Sequence, residues 1–292
     1  MTTKDRLRSL LLVRGPQPAG PAQAARALTE AADTPQVVDR AVAEFSRRYP
    51  DLQMPPVVVV IAALREQDSV GDVIDEIPDE IAGLACRVLI VDDGSEDRTS
   101  EVAAEHGALV CRLERNCGQG TAFRAGYRLV AEGGGRYIAT MDADGQWDPA
   151  DLPAMVELLE AGKADLVLGS RRLGRTENTN KVRNVGVRVF SVLISAITRT
   201  RITDSSSGLR AMRVEVATTV RQTQPQYQSS ELLIGAIFQR FKVAEVPTVM
   251  RLRTSGESRK GRNFGYGAKY ALVIARTSWR EWRGRPRRRR GR

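Results

Sequence analysis

Five apolar runs rich in β-branched residues recur through the middle of this chain, and each ends in a short turn carrying Asp, Asn, Glu or Arg. They are the stretches 57–62, 86–91, 108–113, 137–141 and 166–169, with helical patterns over 70–77, 97–105, 119–130 and 150–160 between them. The first, Val57-Val58-Val59-Val60-Ile61-Ala62, is continuous rather than alternating, which suits a parallel strand covered on both faces. Strand, turn and helix repeated at this spacing predict right-handed βαβ units and an α/β domain with a mostly parallel sheet flanked by helices. In such a sheet the ligand crevice lies beyond the carboxyl ends of the strands. Glu66, Asp92, Asp93, Asn116, Asp142, Asp144 and Arg171 all fall at such ends, whereas random surface charge would be divided between both ends of the sheet.

The fourth run empties into Asp142-Ala143-Asp144-Gly145-Gln146-Trp147-Asp148-Pro149. Carboxylates spaced i,i+2 in a half-extended turn can both be directed at one cation, and Gln146 adds a neutral oxygen. Hard oxygen donors of this kind suit Mg²⁺ or Mn²⁺ partly held by substrate phosphates. A solvated turn whose Asp side chains cap backbone N–H groups fits the same local spacing. Calcium fits less well, because the alternation of ligands does not continue into a twelve-residue loop with a closing Glu.

Charge narrows the partners. Lys and Arg number 45 against 35 Asp and Glu, a net charge of +10, so anionic partners are expected: nucleotide phosphates, nucleic acid or acidic lipid headgroups. Cys86, Cys111 and Cys117 have no metal-ligand spacing, and their odd number without a secretory signal reads as reduced thiols inside a cell. No run reaches the ~20 apolar residues of a membrane span, so any membrane contact is expected to be peripheral. There is no G-x-x-x-x-G-K-S/T loop and no G-x-G-x-x-G opening the first helix, which disfavours P-loop NTPases and dinucleotide oxidoreductases. His106, the sole histidine, falls at a helix end and reads as a surface or capping residue, which disfavours a His-based triad.

Outside the repeats, residues 1–54 read as a helical extension with short helices at 5–13 and 36–48, which covers the core, serves a dimer or rests against a membrane. Residues 172–184 read as a basic loop, 185–198 as an almost apolar helix, either buried or the floor of an apolar groove near a membrane. Helices are expected over 230–239 and 265–276, with β segments at 242–246 and 249–253 and a Gly/Ser-rich loop at 254–262. The division is then 1–54, a domain 55–262 that includes the less regular region 171–262, and 263–292 as a helix and a basic tail. Eight arginines lie between Arg280 and Arg292, with Trp279 and Trp282 close by; such a run fits a solvated tail, attachment to anionic lipid or nucleic-acid binding, the last least, since no stacking aromatics or recognition helix accompany it.

The ordered motifs VLIVDDGSEDRT, NCGQGTAFRAGY, YIATMDADGQWDPADL, ADLVLGSR, TDSSSGLRAMR and EVPTVMRLRTSGESRK resemble glycosyltransferase family 2 with the GT-A fold, and more narrowly the polyprenyl-phosphate hexosyltransferases of the dolichyl-phosphate mannose synthase type. The resemblance implies a Rossmann-like sheet in which Ala62, Arg65, Glu66, Asp92, Asp93, Gly118 and Ala143 line the nucleotide pocket. It implies that Asp142, Asp144 and Gln146 surround Mg²⁺ or Mn²⁺ and the donor diphosphate, that Arg171 meets phosphate oxygens and that Arg210 lies toward the acceptor. Arg253, Ser258 and Lys260 would belong to a loop that closes over the diphosphate. The implied reaction is inverting transfer of a hexose from a nucleoside-diphosphate sugar, a UDP-sugar ahead of GDP-Man, to a polyprenyl phosphate, by a cytoplasmic enzyme peripheral on the inner face of the cell membrane. The alternative is a soluble phosphorylated or nucleoside-like acceptor in secondary metabolism. One departure stands out: where the family has Pro and Asn after its first strand, this chain has Ala62 and Arg65, which puts an extra positive charge where nucleotide is expected. A sugar nucleotidyltransferase would need a Gly-rich, Arg/Lys-bearing loop after the first strand, and none is present.

Overall fold

Residues 57–63 are buried on both sides because successive side chains of an extended strand point to opposite faces, and each face has its own helical cover. Val58 and Val60 join one apolar cluster, and Val57, Val59, Ile61 and Ala63 the other. The computed structural model describes residues 35–177, 181–252 and 264–284. In chain order these form α1 (Pro35–Arg48), β1 (Val57–Ala63), α2 (Val70–Asp75), β2 (Glu80–Ile81), β3 (Leu84–Asp92), α3 (Thr99–Glu105), β4 (Leu109–Arg112), α4 (Gln119–Glu132) and β5 (Tyr137–Asp142). A short 3-10 turn (Pro149–Asp151) precedes α5 (Leu152–Glu160), β6 (Leu166–Thr176), α6 (Lys181–Thr198), β7 (Arg210–Arg213), α7 (Val214–Thr219), α8 (Gln228–Phe238), β8 (Val243–Met250) and α9 (Phe264–Gly284). The helix expected at 5–13, the residues Arg253, Ser258 and Lys260, and the arginines from Arg285 onward lie outside the described residues.

The strands make one sheet in the order β2-β3-β1-β5-β7-β6-β8, with β4 also paired to β3. Pairs β1/β3, β1/β5, β3/β4 and β6/β8 are parallel, as expected for βαβ units. β7 departs from the sequence reading. Arg210-Ala211-Met212-Arg213 runs antiparallel between β5 and β6 and pairs with both. It is short and charged at both ends, so neither length nor period announces a central strand. β6 likewise continues to Thr176, through residues read as a basic loop, because its partner β8 carries the ladder past a register shift between Ser170 and Arg175. β8 runs unbroken through Pro247, which an edge strand tolerates because no neighbour needs the missing N–H.

The face covered by α1, α4, α7, α8 and α9 holds the larger cluster. Val37, Ala41, Val42 and Phe45 of α1 are buried in it, and Arg128 on α4 holds Asp39 at 2.5 Å, so this helix covers the core. α2 and α5 cover the other face with Ile74, Leu152, Met155 and Leu159. His106 links α3 to α2 through Asp75 Oδ1 at 2.9 Å. All three cysteines are free, and burial pushes the Cys86 and Cys111 thiols up to about 12, leaving them protonated and inert.

Candidate active site

The carboxyl ends of β1, β3 and β5 come together because their register is in phase: Ala62 is level with Val91 and with Asp142, and Ala63 with Asp92. Beyond them the chain turns, and the acidic residues of these turns do different jobs. Asp92 is fully buried; Oδ1 accepts from Ser95 N at 2.8 Å and Oδ2 from the Ser100 hydroxyl, so it builds the β3–α3 turn rather than presenting a free carboxylate. Ser95 Oγ in turn accepts from Arg65 N at 2.9 Å, where Arg65 has a left-handed φ of 56°. The Arg65 guanidinium reaches outward to Glu96 at 2.7 Å with both partners well exposed, so its charge is shared with a surface carboxylate. Glu66 is held by backbone and side chain, its N–H donating to Thr99 Oγ1 at 2.9 Å and its Oε2 accepting from Ser69 Oγ at 3.0 Å.

Asp93 joins β3 to the loop before α4. Its Oδ1 accepts from Cys117 N at 2.7 Å and its Oδ2 from Gly118 N at 2.8 Å. Burial drives its pKa up to about 6; the two N–H groups pull down and the neighbouring Asp92 charge pushes further up. Gly118 has φ 92°, and a Cβ there would lie 2.8 Å from the Pro225 carbonyl oxygen, so glycine is required by both conformation and space.

Next along the rim, Gln119 Nε2 donates to Asp142 Oδ1 at 3.0 Å. The indole N–H of Trp147, whose ring is almost completely buried, donates to Asp142 Oδ2 at 3.0 Å. Gly208 packs against this pair so closely that a Cβ would lie 2.3 Å from Asp142 Oδ2 and 2.7 Å from Trp147 Nε1. Asp144 is buried, and its Oδ1 accepts from Gln146 N at 3.2 Å. Ala143 between the two carboxylates is buried as well. Gln146, read from the sequence as an oxygen ligand, has its Nε2 turned to the Arg251 carbonyl at 3.3 Å, while its own carbonyl accepts from Arg251 N at 2.8 Å; it fastens the acidic turn to the end of β8. Arg251 closes the same strap with salt bridges to Glu76 and Asp148, each 2.8 Å.

Arg171 sits over Trp147, its guanidinium 5.7 Å from the ring centroid. It makes a two-pronged contact with Asp204, Nε to Oδ2 at 2.6 Å and Nη2 to Oδ1 at 2.7 Å, and Nη2 also donates to Ser206 Oγ at 2.8 Å. Burial lowers its pKa, and the Asp204 fork together with the Asp142 charge outweighs that, so the net direction is upward and the group stays charged. Asp204 is held from the other side by Glu245, which accepts from Asp204 N at 2.9 Å and from Thr203 N. Burial raises Glu245, opposed by these N–H bonds.

Arg210, which the family resemblance places toward the acceptor, is a buried residue of the sheet. As the first residue of β7 it is paired with Thr140 and Leu168, is buried, and donates through Nη2 to the Ser207 carbonyl. Burial lowers its pKa, with Tyr127, Asp142, Tyr270 and Asp204 pulling the other way, so its charge acts from beneath the site. The turn Asp204–Gly208 is anchored to helices: Ser205 N donates to Ser191 Oγ of α6 at 3.1 Å, and Ser230 Oγ of α8, bonded to the Tyr270 hydroxyl of α9, reaches the Ser205 carbonyl at 3.5 Å.

Asp93, Gly118, Gln119, Asp142, Trp147, Arg171 and Asp204 therefore form a linked rim around the carboxyl ends of the strands. Gln119, Trp147, Asp204, Gly208 and Glu245 were not singled out from the sequence. Trp147 lies inside the acidic motif, and its proximity to Asp142 was the available signal; Gln119, Asp204, Glu245 and Gly208 depend on partners 23, 33, 41 and 68 residues away. Among the described residues no group of three or more His, Cys, Asp or Glu side chains surrounds a single point.

Residues 58–221 match the family model for glycosyl transferase family 2. An uncharacterised protein of Methanocaldococcus jannaschii is 31% identical over 75% of this chain and 90% of its own length. A dolichyl-phosphate hexose transferase of Haloferax volcanii is 31% identical over 69% of this chain and 85% of its own. Among solved structures, glucosyl-3-phosphoglycerate synthase of Mycobacterium tuberculosis, in complex with Mn²⁺, UDP-glucose and phosphoglyceric acid, superposes with a TM-score of 0.61 at 22% identity, covering 82% of this chain and 84% of that one. That likeness shows a shared fold, a GT-A sheet with flanking helices. With the family match spanning more than half of the sequence and the rim of acidic and basic residues described above, this chain is a glycosyltransferase belonging to glycosyl transferase family 2.

Proposed function

We propose that the chain transfers a hexose from a nucleoside-diphosphate sugar, a UDP-sugar ahead of GDP-Man, to an oxygen of a phosphate-bearing acceptor. The observation that carries this reading is the join of Asp142 to Gln119 on one side and, through Trp147, to the Arg171–Asp204 pair on the other, with Asp144 in the same turn. A divalent cation fits the donor set. The Asp142 oxygens, oriented by the Gln119 amide and the Trp147 indole N–H, and the buried Asp144 carboxylate supply hard oxygen donors from one turn. Among the described residues no third acidic ligand joins these two carboxylates, which suits Mg²⁺ or Mn²⁺ completed by substrate phosphate oxygens rather than a cage made by protein alone. Such an ion, when bound, would offset the negative charge that develops on the leaving diphosphate.

In the reaction an acceptor oxygen forms a bond to the anomeric carbon while the bond from that carbon to the β-phosphate oxygen breaks, and the electron pair leaves with the nucleoside diphosphate. An acceptor phosphate is already ionised near neutral pH, so no histidine or strong base is called for. Asp142 is oriented by Gln119 and Trp147, and Arg171 is fixed by Asp204, so positioning and charge complementarity carry the rate.

Two acceptor classes share the phosphate. A soluble phosphorylated acceptor is supported by the phosphoglyceric acid in the fold relative, and a polyprenyl phosphate by the name of the Haloferax relative. The test is release of nucleoside diphosphate from UDP-Glc, UDP-GlcNAc, UDP-GalNAc or GDP-Man with Mn²⁺, using a short polyprenyl phosphate, phosphoglyceric acid or no acceptor. Acceptor-dependent release with one phosphate class is the expected result; silence with every pairing overturns the reading.

A further inference from the structure

We propose that the outward faces of α6 and α9 form a docking surface for an anionic lipid bilayer. α8 is buried along its whole length, and α6 and α9 pack over it and against each other, with Phe190 and Tyr270 edge to face at 4.3 Å between ring centroids. The sides that the two covering helices turn outward are apolar. Val185, Val189 and Val192 on α6 and Leu272, Trp279 and Trp282 on α9 are all exposed, Val192 to 67% and Trp282 to 65%. Eight of the ten large apolar side chains exposed among the described residues lie on these two helices, so they form a concentrated feature rather than the ordinary scatter of a soluble surface.

The charges beside them choose the occupant. Exposed Arg188 and Arg199 flank the α6 stripe, and exposed Lys269, Arg276 and Arg283 lie on α9. The one carboxylate in the sequences of these helices, Glu281, is largely buried and neutralised by Arg280 at 3.0 Å. In sequence, Arg285, Arg287, Arg288, Arg289, Arg290 and Arg292 follow directly. An apolar stripe edged by cations alone, with tryptophans at its margin, matches the boundary between acyl chains and anionic headgroups. A second copy of the chain would bring the same cations face to face. Neither helix is long and apolar enough to cross a membrane, so they would lie in the interface.

The surface also has a connection to the site. Ser191 of α6 holds the Ser205 N–H, and Tyr270 of α9 holds Ser230, which reaches the Ser205 carbonyl, so both helices support the turn that abuts Asp142. A phosphate carried by a bilayer lipid would approach from this side. That consequence rests on the glycosyl-transfer reading; the docking itself does not.

The test is sedimentation of the full chain with vesicles of phosphatidylcholine alone or with about 30% phosphatidylglycerol, followed by tryptophan fluorescence. The expected result is binding to the anionic vesicles with a blue shift, weakened by salt, and about tenfold weaker partition for Trp279→Ala/Trp282→Ala and for Val189→Ser/Val192→Ser at unchanged thermal midpoint. Removing residues 285–292 is expected to weaken binding and leave the blue shift. Absence of binding, binding by both double variants equal to that of the unsubstituted chain, loss of the blue shift on removing 285–292, or a solution dimer that these substitutions dissociate would each overturn the proposal. Transfer to a short, water-soluble polyprenyl phosphate without vesicles is measured alongside. Transfer without vesicle binding overturns the surface alone, and vesicle binding without transfer to any acceptor overturns the reading of the site alone.

Discussion

At the scale of single residues, the site is governed by carboxylates whose neighbours assign them distinct tasks. Asp93 has a folded-state pKa raised to about 6, so the folded chain holds its proton more tightly than the unfolded one. Its ionisation therefore costs stability as pH rises from about 4 to about 6, and the cost is constant above that, at most about 3 kcal/mol for a shift of this size. Urea unfolding at several pH values should show the stability of the native chain falling relative to Asp93→Asn across that window, with a pH-independent difference above it. Asp142 gives a different expectation. Gly208→Ala would drive a methyl group into the Asp142–Trp147 contact, so a loss of about 1–3 kcal/mol in stability should accompany a steep loss of transfer. Asp144→Ala should retain the thermal midpoint within a few degrees and lower nucleoside diphosphate release by roughly a hundred- to a thousandfold. Retained transfer in that variant would remove the metal assignment.

Between elements, the Arg171–Asp204 pair joins β6 to the turn over residues 204–208, and both side chains are buried. Arg171→Ala strands a buried carboxylate and should cost about 3–5 kcal/mol, and adding Asp204→Ala should cost much less than the sum, as measured by a double-mutant cycle. Arg280 has a similar task. It reaches the fully buried Glu231 of α8 at 2.9 Å, where Glu231 also accepts from Thr223 N and Gln224 N. Read from sequence as the beginning of a basic tail, it is in fact a fastener of α9. Ending the chain after Gly284 should thus leave the thermal midpoint almost unchanged, whereas ending it after Trp279 should lower it by several degrees. The contrast explains what was legible. Val57–Ile61 and Tyr137–Met141 declare themselves because a strand buried on two faces must be apolar throughout, and the acids at their ends mark the crevice by topology alone. Arg210–Arg213 and Arg171–Thr176 stay hidden because pairing partners, not intrinsic pattern, make them strands. Buried charges such as Asp204, Glu231 and Glu245 look like ordinary loop or helix polarity until the residues that neutralise them are brought in from far along the chain.

For the molecule as a whole, a nucleotide held across the turns of β1, β3 and β5 should stabilise the entire domain. At a hundredfold excess over its Kd the gain is about 2.7 kcal/mol, several degrees in thermal midpoint, and a UDP-against-GDP comparison with Mn²⁺ reads out the base preference directly. The antiparallel strand β7 bears on how this molecule comes into being. β5 and β6 have no ladder with each other; each pairs with Arg210–Arg213, a segment that leaves the ribosome more than thirty residues after β6 ends. Until that segment arrives, a nascent chain carries two open strand edges in the middle of its sheet, each a template for pairing with another chain. The four residues of β7 thus act as a keystone in time as well as in space. A chain released before Arg210 should aggregate, and one released just beyond α7 should close its central ladder, so the interval between residues 176 and 213 is the stretch of synthesis in which a chaperone has the most to protect.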